Sequence, residues 1–98
     1  MDLAAFRDSL TGAAPPEALP VTLAGLWWDA KGDWDRAHEC AQAQDDAAGV
    51  ALHAYLHRKE GDLSNAGYWY RRAGRPMPSG SLAAEWEALA AEFLPPDR

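Results

Sequence analysis

His53 and His57 are the clearest candidates for chemistry in this 98-residue chain. Four positions apart on a helix, they project both imidazoles from one face. That spacing suits two ligands of a transition metal such as zinc. The local sequence supplies no third ligand, so the fold has to bring one in: His38 from the preceding helix, or a carboxylate such as Asp46 or Glu60. No Glu directly follows His53, so the metalloprotease pattern of paired histidines is absent. The competing reading, which the sequence favours, makes His53 and His57 interhelix packing residues, hydrogen-bonded to neighbours and lined by Trp rings.

No catalytic residue is assigned, and an enzyme is the less favoured class. Cys40 lies mid-helix in an apolar pattern, two positions from His38, and side chains at that offset do not face each other. It reads as a small core residue. Ser64 and Ser81 sit at helix starts, where capping explains them. There is no Gly-rich phosphate loop, nucleophile elbow or paired-acid pattern.

Recognition is the alternative to chemistry. Arg58, Lys59, Arg71, Arg72 and Arg75 place five of the nine basic residues within 18 positions, against only Glu60 and Asp62. Such a segment can present a basic edge to an acidic peptide, a carboxylate or a phosphate. Arg71, Arg72 and Arg75 also fall at or just past the end of a helix, where cations complement the helix dipole. Tyr68, Trp69 and Tyr70 are consecutive, so they cannot share one face: two can enter a core while the third lies at its rim. Trp27-Trp28 poses the same question. The candidate partner-binding set is therefore Tyr68, Trp69, Arg58, Arg71, Arg72 and Arg75.

Composition narrows the partners. A formal charge of −6 argues against nucleic acid and anionic membranes, where a basic footprint is expected. Hydrophobic residues at 48 %, with five Trp among them, supply enough apolar surface for one core. A single cysteine excludes an internal disulfide and a Cys-rich metal site. No secretory signal and no transmembrane run is expected, and a cytoplasmic setting is the default.

The elements that must position these residues are helices. Leu3, Phe6 and Leu10 mark a first helix over residues 2–10, and Pro15-Pro16 an extended connector. A second helix runs from about Pro20 to Lys31 and stops at Gly32; Asp33 caps a third, which fades by Asp46. A fourth spans about Ala47 to Lys59, and Gly61-Asp62 repeats the stop-and-cap device before a fifth, to about Ala73. After the breakers Gly74 to Gly80, Ser81 caps a last helix carrying Leu82, Trp86, Leu89 and Phe93, ended by Pro95-Pro96. No window shows strand alternation. The expected fold is all-α, about six helices in a single domain.

Gly32-Asp33 and Gly61-Asp62 lie 29 residues apart, and at the same offset Val21 matches Val50, Leu23 matches Leu52 and Ala37 matches Ala66. Each copy has the same helix, Gly-Asp turn, helix layout, which implies stacked helical hairpins. The first copy offers Gly25, Trp28, Gly32-Asp33-Trp34 and Ala37; the second offers Ala54, Gly61-Asp62, Ala66, Tyr70, Ala73 and a closing Pro78. On these residues each copy resembles a tetratricopeptide (TPR) motif, over roughly residues 20–78. The string Leu56 to Gly74 also resembles the signature of a family without an assigned function. The resemblance implies a repeat at about 20–46, a second at about 47–78, and flanking N- and C-terminal capping helices, the latter at about 81–94. Three departures stand out: the offset is shorter than the usual 34, His53 and His57 replace a Leu and an aromatic, and two hairpins are fewer than the usual three. The peptide-carboxylate clamp of some TPR proteins is also absent.

The function this implies is a small interaction or scaffold module, holding a protein or peptide through an aromatic and Arg-rimmed groove. A metal-binding or enzymatic site on His53, His57 and His38 is the alternative. Self-association through the aromatic surface is a third course left open.

Overall fold

Nearly every helix starts where a short polar side chain can accept from the free amides of its first turn. Asp2, Asp33, Asp46, Asp62 and Ser81 each accept from the backbone N–H three residues on. The second helix instead opens directly after Pro20. The computed structural model describes residues 1–95. Within it lie α1 (Leu3–Asp8), a 3-10 turn (Ser9–Thr11), α2 (Val21–Ala30), α3 (Trp34–Gln42), α4 (Ala47–Glu60), α5 (Leu63–Ala73) and α6 (Leu82–Phe93). The fold is all-α with six helices, as the periodicity predicts. The first helix ends earlier than expected. Ser9 Oγ donates to the Phe6 carbonyl and Thr11 Oγ1 to that of Asp8, and the last turn tightens. Of the expected stop at Pro95-Pro96, Pro96 lies outside the described residues.

The two Gly-Asp pairs act as designed hinges. Gly32 and Gly61 take φ of 84° and 89°, a left-handed conformation that a side chain disfavours. The amide of the following Asp then reaches back to the carbonyl of Trp28 or His57, closing the helix end, while its carboxylate opens the next helix. Glycine stops one helix and aspartate starts its partner. The results are two helical hairpins, α2 with α3 and α4 with α5, joined side by side through α3 and α4.

Close approach is built into the crossings. A methyl group at Gly25 would sit 2.6 Å from Leu52 Cδ2 and 3.1 Å from Cys40 Cβ, so α2 lies almost in contact with α3 and α4 there. Ala37 and Ala41 of α3 are buried in the same core, and Ala54 and Ala66 are buried in a second cluster between α4 and α5. Larger side chains fill the space beside them: Leu23, Leu26, Trp27, Leu52, Tyr55 and Leu56 form the main core, which α1 closes with Phe6 and α6 with Trp86 and Leu89. Phe6 and Trp86 stack at 5.7 Å. Buried indoles keep their N–H groups satisfied: Trp86 donates to the Leu26 carbonyl and Trp34 to that of Leu56. Glu85 of α6 accepts from Arg58 of α4 at 2.8 Å and from Tyr70 of α5 at 2.6 Å, tying three helices together. Among the described residues, no helix is long and apolar enough to cross a membrane.

Replacing Gly61 by Ala should lower stability by about 1–2 kcal/mol, the cost of a left-handed alanine. Thermal unfolding should show a fall in Tm of roughly 5–10 °C. An unchanged Tm would mean that the turn relaxes without the left-handed residue.

Candidate metal centre

The second hairpin supplies two of the three histidines and the first supplies the other. His53 and His57 sit one turn apart on α4, and the small residues Ala37 and Ala41 let α3 settle close enough to bring His38 over them. One ligand nitrogen from each ring can be chosen so that all three lie within 4.8 Å of one another. His53 and His57 are each only 7 % exposed, and His38 is half-buried.

Aromatic rings clamp the group from two sides. Trp34, one turn before His38 on α3, stacks on the His38 ring at 4.7 Å and meets His57 edge-on at 5.9 Å. Trp69 of α5 stacks on His53 at 3.9 Å, with the planes 11° apart. These rings restrict imidazole rotation and keep water from most of the cluster.

Hydrogen bonds decide which nitrogens are available. Nε2 of His38 and Nε2 of His53 are 2.8 Å apart, so a single proton lies between them, donated by one ring and accepted by the other. His57 places Nδ1 2.9 Å from Oε1 of Glu60, which orients the Nδ1–H toward the carboxylate and leaves a lone pair on Nε2. Asn65 Nδ2 lies 3.4 Å from that Nε2. A carboxylate behind a histidine is the outer arrangement that fixes the tautomer of a metal-ligating imidazole.

The electrostatics favour neutral rings. Burial, followed by the nearby His38, His57 and Arg72 charges, pulls the His53 pKa down from 6.5 to about 4. Burial also lowers that of His38, with His57 acting in the same direction and Glu60 and Asp35 against it. Rings that resist protonation keep their lone pairs for a metal at neutral pH. In a tetrahedral site with Zn–N bonds of about 2.0–2.1 Å, ligand nitrogens stand roughly 3.3 Å apart. His38 and His53 therefore need to separate by about half an ångström, the metal taking the place of their shared proton.

Three of the carboxylates and amides around the site have other duties. Asp46, a candidate third ligand by sequence, caps α4 through the Gly49 amide and accepts from Gln44 Nε2. Glu60, the other candidate, stands behind His57. His38 is the third histidine that the fold brings to the pair. A cavity of about 440 Å³, lined among others by Gln44, Asp45, Trp69 and His53, gives the cluster a route to solvent. The role of Asn65 was not legible in the sequence; its position eight residues after His57 becomes meaningful only once α5 folds back on α4.

Three of the basic residues pair with acids from other parts of the chain. Arg58 pairs with Glu85 and also reaches the Gly80 carbonyl. Arg72 pairs with Asp45 and lies over the Trp69 ring, and Arg75 makes a two-pronged contact with Glu92. Arg71 is exposed on α5. Of the aromatic triplet, Tyr70 is buried, Trp69 is half-buried against His53, and Tyr68 is 49 % exposed. Trp27 is buried, and Trp28 lies at the edge beneath the Arg36 guanidinium. Cys40 is half-buried, and burial raises its thiol pKa, which disfavours the thiolate.

No protein-family model, no curated protein and no solved structure matches this chain.

The depressed His53 pKa carries a pH signature in the metal-free protein. The unfolded chain takes up a proton near pH 6.5 that native His53 refuses until about pH 4. Its contribution is therefore complete above the upper value and is lost as pH falls through that window; the lowered His38 adds in the same sense. Between neutral pH and the bottom of the window, Tm should fall by on the order of 10 °C. The His53→Gln variant should show a visibly shallower fall, since other acid-labile groups remain. Parallel curves for the two proteins would mean that His53 titrates normally.

Proposed function

We propose that this protein binds a single transition-metal ion through ring nitrogens of His38, His53 and His57. The observation that carries the reading is the convergence of three ring nitrogens, from two separate helices, within 4.8 Å. Neutral imidazoles suit zinc, copper or nickel rather than calcium or magnesium, which take oxygen ligands. Zinc is the best fit, since it accepts three protein nitrogens and keeps a fourth position for water or another ligand. Glu60 would hold His57 in register, and the Trp34 and Trp69 rings would keep the imidazoles from rotating away. A lone cysteine agrees with a cytoplasmic setting, where such a site would not compete with disulfide chemistry.

The outer face of α5 favours a second reading, an interaction module for a protein or peptide. Tyr68 stands 49 % exposed at a right angle to Trp69, and Met77 reaches back over Gly67 with 39 % exposure. The repeated hairpin with its Gly-Asp turn supports a TPR-like origin for that role. The two readings are compatible, because the histidines face the interior between helices and Tyr68 faces solvent.

Calorimetric titration of tag-free protein with zinc and with nickel tests the metal reading. One-to-one binding is expected, lost by at least 100-fold in His53→Ala and weakened by about 10- to 100-fold in Glu60→Gln. Affinity should fall as the solution is acidified and protons compete for the ring nitrogens. Failure of both metals to bind the wild-type protein would leave the three histidines as a hydrogen-bonded packing cluster.

A further inference from the structure

A second polar cluster lies on the opposite side of α4, where the C-terminal ends of α2 and α4 meet the start of α6. Asp29 of α2 is buried, with its side chain only 2 % exposed. One oxygen accepts from the Tyr55 hydroxyl at 2.7 Å and the other from Lys59 Nζ at 2.7 Å. Replacing a buried ion pair with apolar groups of similar size is often neutral or stabilising. A carboxylate kept here with two dedicated partners therefore invites a role beyond packing.

That cluster borders a cavity of about 360 Å³. Leu10, Leu82 and the Trp86 ring supply apolar walls, and Arg7 and Lys59 stand among the lining residues. What matters is which charges a ligand can reach. Asp29 and Tyr55 also line the cavity. The Asp29 side chain, however, is only 2 % exposed and both its oxygens are engaged, whereas Lys59 is 38 % exposed and Arg7 is 50 % exposed. Lys59 uses one of its three N–H donors on Asp29, and Arg7 pairs through one nitrogen with Glu87 outside the cavity wall. Donors therefore remain on both. The reachable charge in this cavity is positive, in a chain whose formal net charge is −6.

We propose that this cavity is a binding site for a small amphipathic carboxylate. Its apolar body lies against Trp86, Leu82 and Leu10, and its carboxylate is received by Lys59 and Arg7. Asp29 and Tyr55 are positioning residues: the carboxylate fixes the Lys59 ammonium at the cavity edge, and the tyrosine hydroxyl satisfies the oxygen that the lysine does not. A volume near the small end of the range for ligand pockets suits a short-chain or single-ring acid rather than a long lipid. The Arg7 guanidinium, 5.5 Å from the Trp86 ring centroid, is already placed over the apolar wall and needs little reorganisation to meet an anion.

Octanoate is a suitable probe, with octanol as its uncharged match. The full chain is titrated with each in the presence of a chelator, so that the histidine cluster cannot hold the acid through a metal. Binding is followed by nitrogen–proton correlation spectra that resolve the Trp86 indole N–H. Saturable one-to-one binding of octanoate is expected, with the largest shifts at Trp86, Lys59 and Arg7, and at least tenfold weaker binding of octanol. Arg7→Gln, which leaves no buried charge unpaired, should weaken octanoate several-fold. Ala83→Trp, at an exposed position on the cavity wall, should fill the cavity and abolish binding while the remaining spectrum stays folded. Equal affinity for octanol, octanoate binding that survives Ala83→Trp, or no saturable binding in the millimolar range would each overturn the proposal.

Discussion

Burying α4 on every side is the constraint from which the rest of the structure follows. Residues 49–57 of this helix are buried without interruption, between α2 and α3 on one flank and α5 and α6 on others. A helix in that position has no polar face to turn toward water. Any polar side chain it carries needs a hydrogen-bond partner, because an unsatisfied buried group costs about 1–3 kcal/mol. Tyr55, His53 and His57 are such side chains, and each finds one. Tyr55 reaches Asp29 of α2, His53 reaches His38 of α3, and His57 reaches Glu60 at the end of its own helix. Among the described residues no buried side-chain nitrogen or oxygen is left without a hydrogen-bond partner.

Because Tyr55 and His53 lie two residues apart, their partners collect on different sides of α4. The histidine cluster forms between α3, α4 and α5, and the aspartate cluster between α2, α4 and the start of α6. The two differ in electrostatic character. Around His38 and His53, desolvation and the nearness of like rings disfavour the charged form, which leaves nitrogen lone pairs as the chemical resource. Around Asp29 a full ion pair is retained, and its reachable end is cationic. One central helix thus organises two polar clusters of opposite character, the one proposed above for a metal cation and the other for an organic anion.

The acidic surplus of the chain does not leave its arginines idle. Arg58, Arg72 and Arg75 each bridge to an acid on another part of the chain. The first of these has both partners largely buried and joins α4 to α6, so it acts on the architecture. The other two are half-exposed and screened, and pairs of that kind add little to stability. Tyr68 and Arg71 are the parts of the basic and aromatic segment that remain directed outward.

The amino-acid sequence by itself determined the helices and where they break, for a local reason. Caps, left-handed glycines and apolar periodicity act over three to five residues, so Asp33, Gly61 and Ser81 could be read as boundaries directly. It also determined that Tyr68, Trp69 and Tyr70 must part company, since helix geometry sets their directions. The convergence of His38 with His53 and His57 was open in the sequence. Only the tertiary structure decided it, together with the burial of Asp29 beneath Tyr55 and Lys59. Such contacts join residues 15 to 30 positions apart. They depend on how closely α2, α3 and α4 approach and on the angle at which they cross. Gly25, Ala37 and Ala41 set that approach through the space their missing side-chain atoms leave, a property of the packed helices and not of any local run of residues.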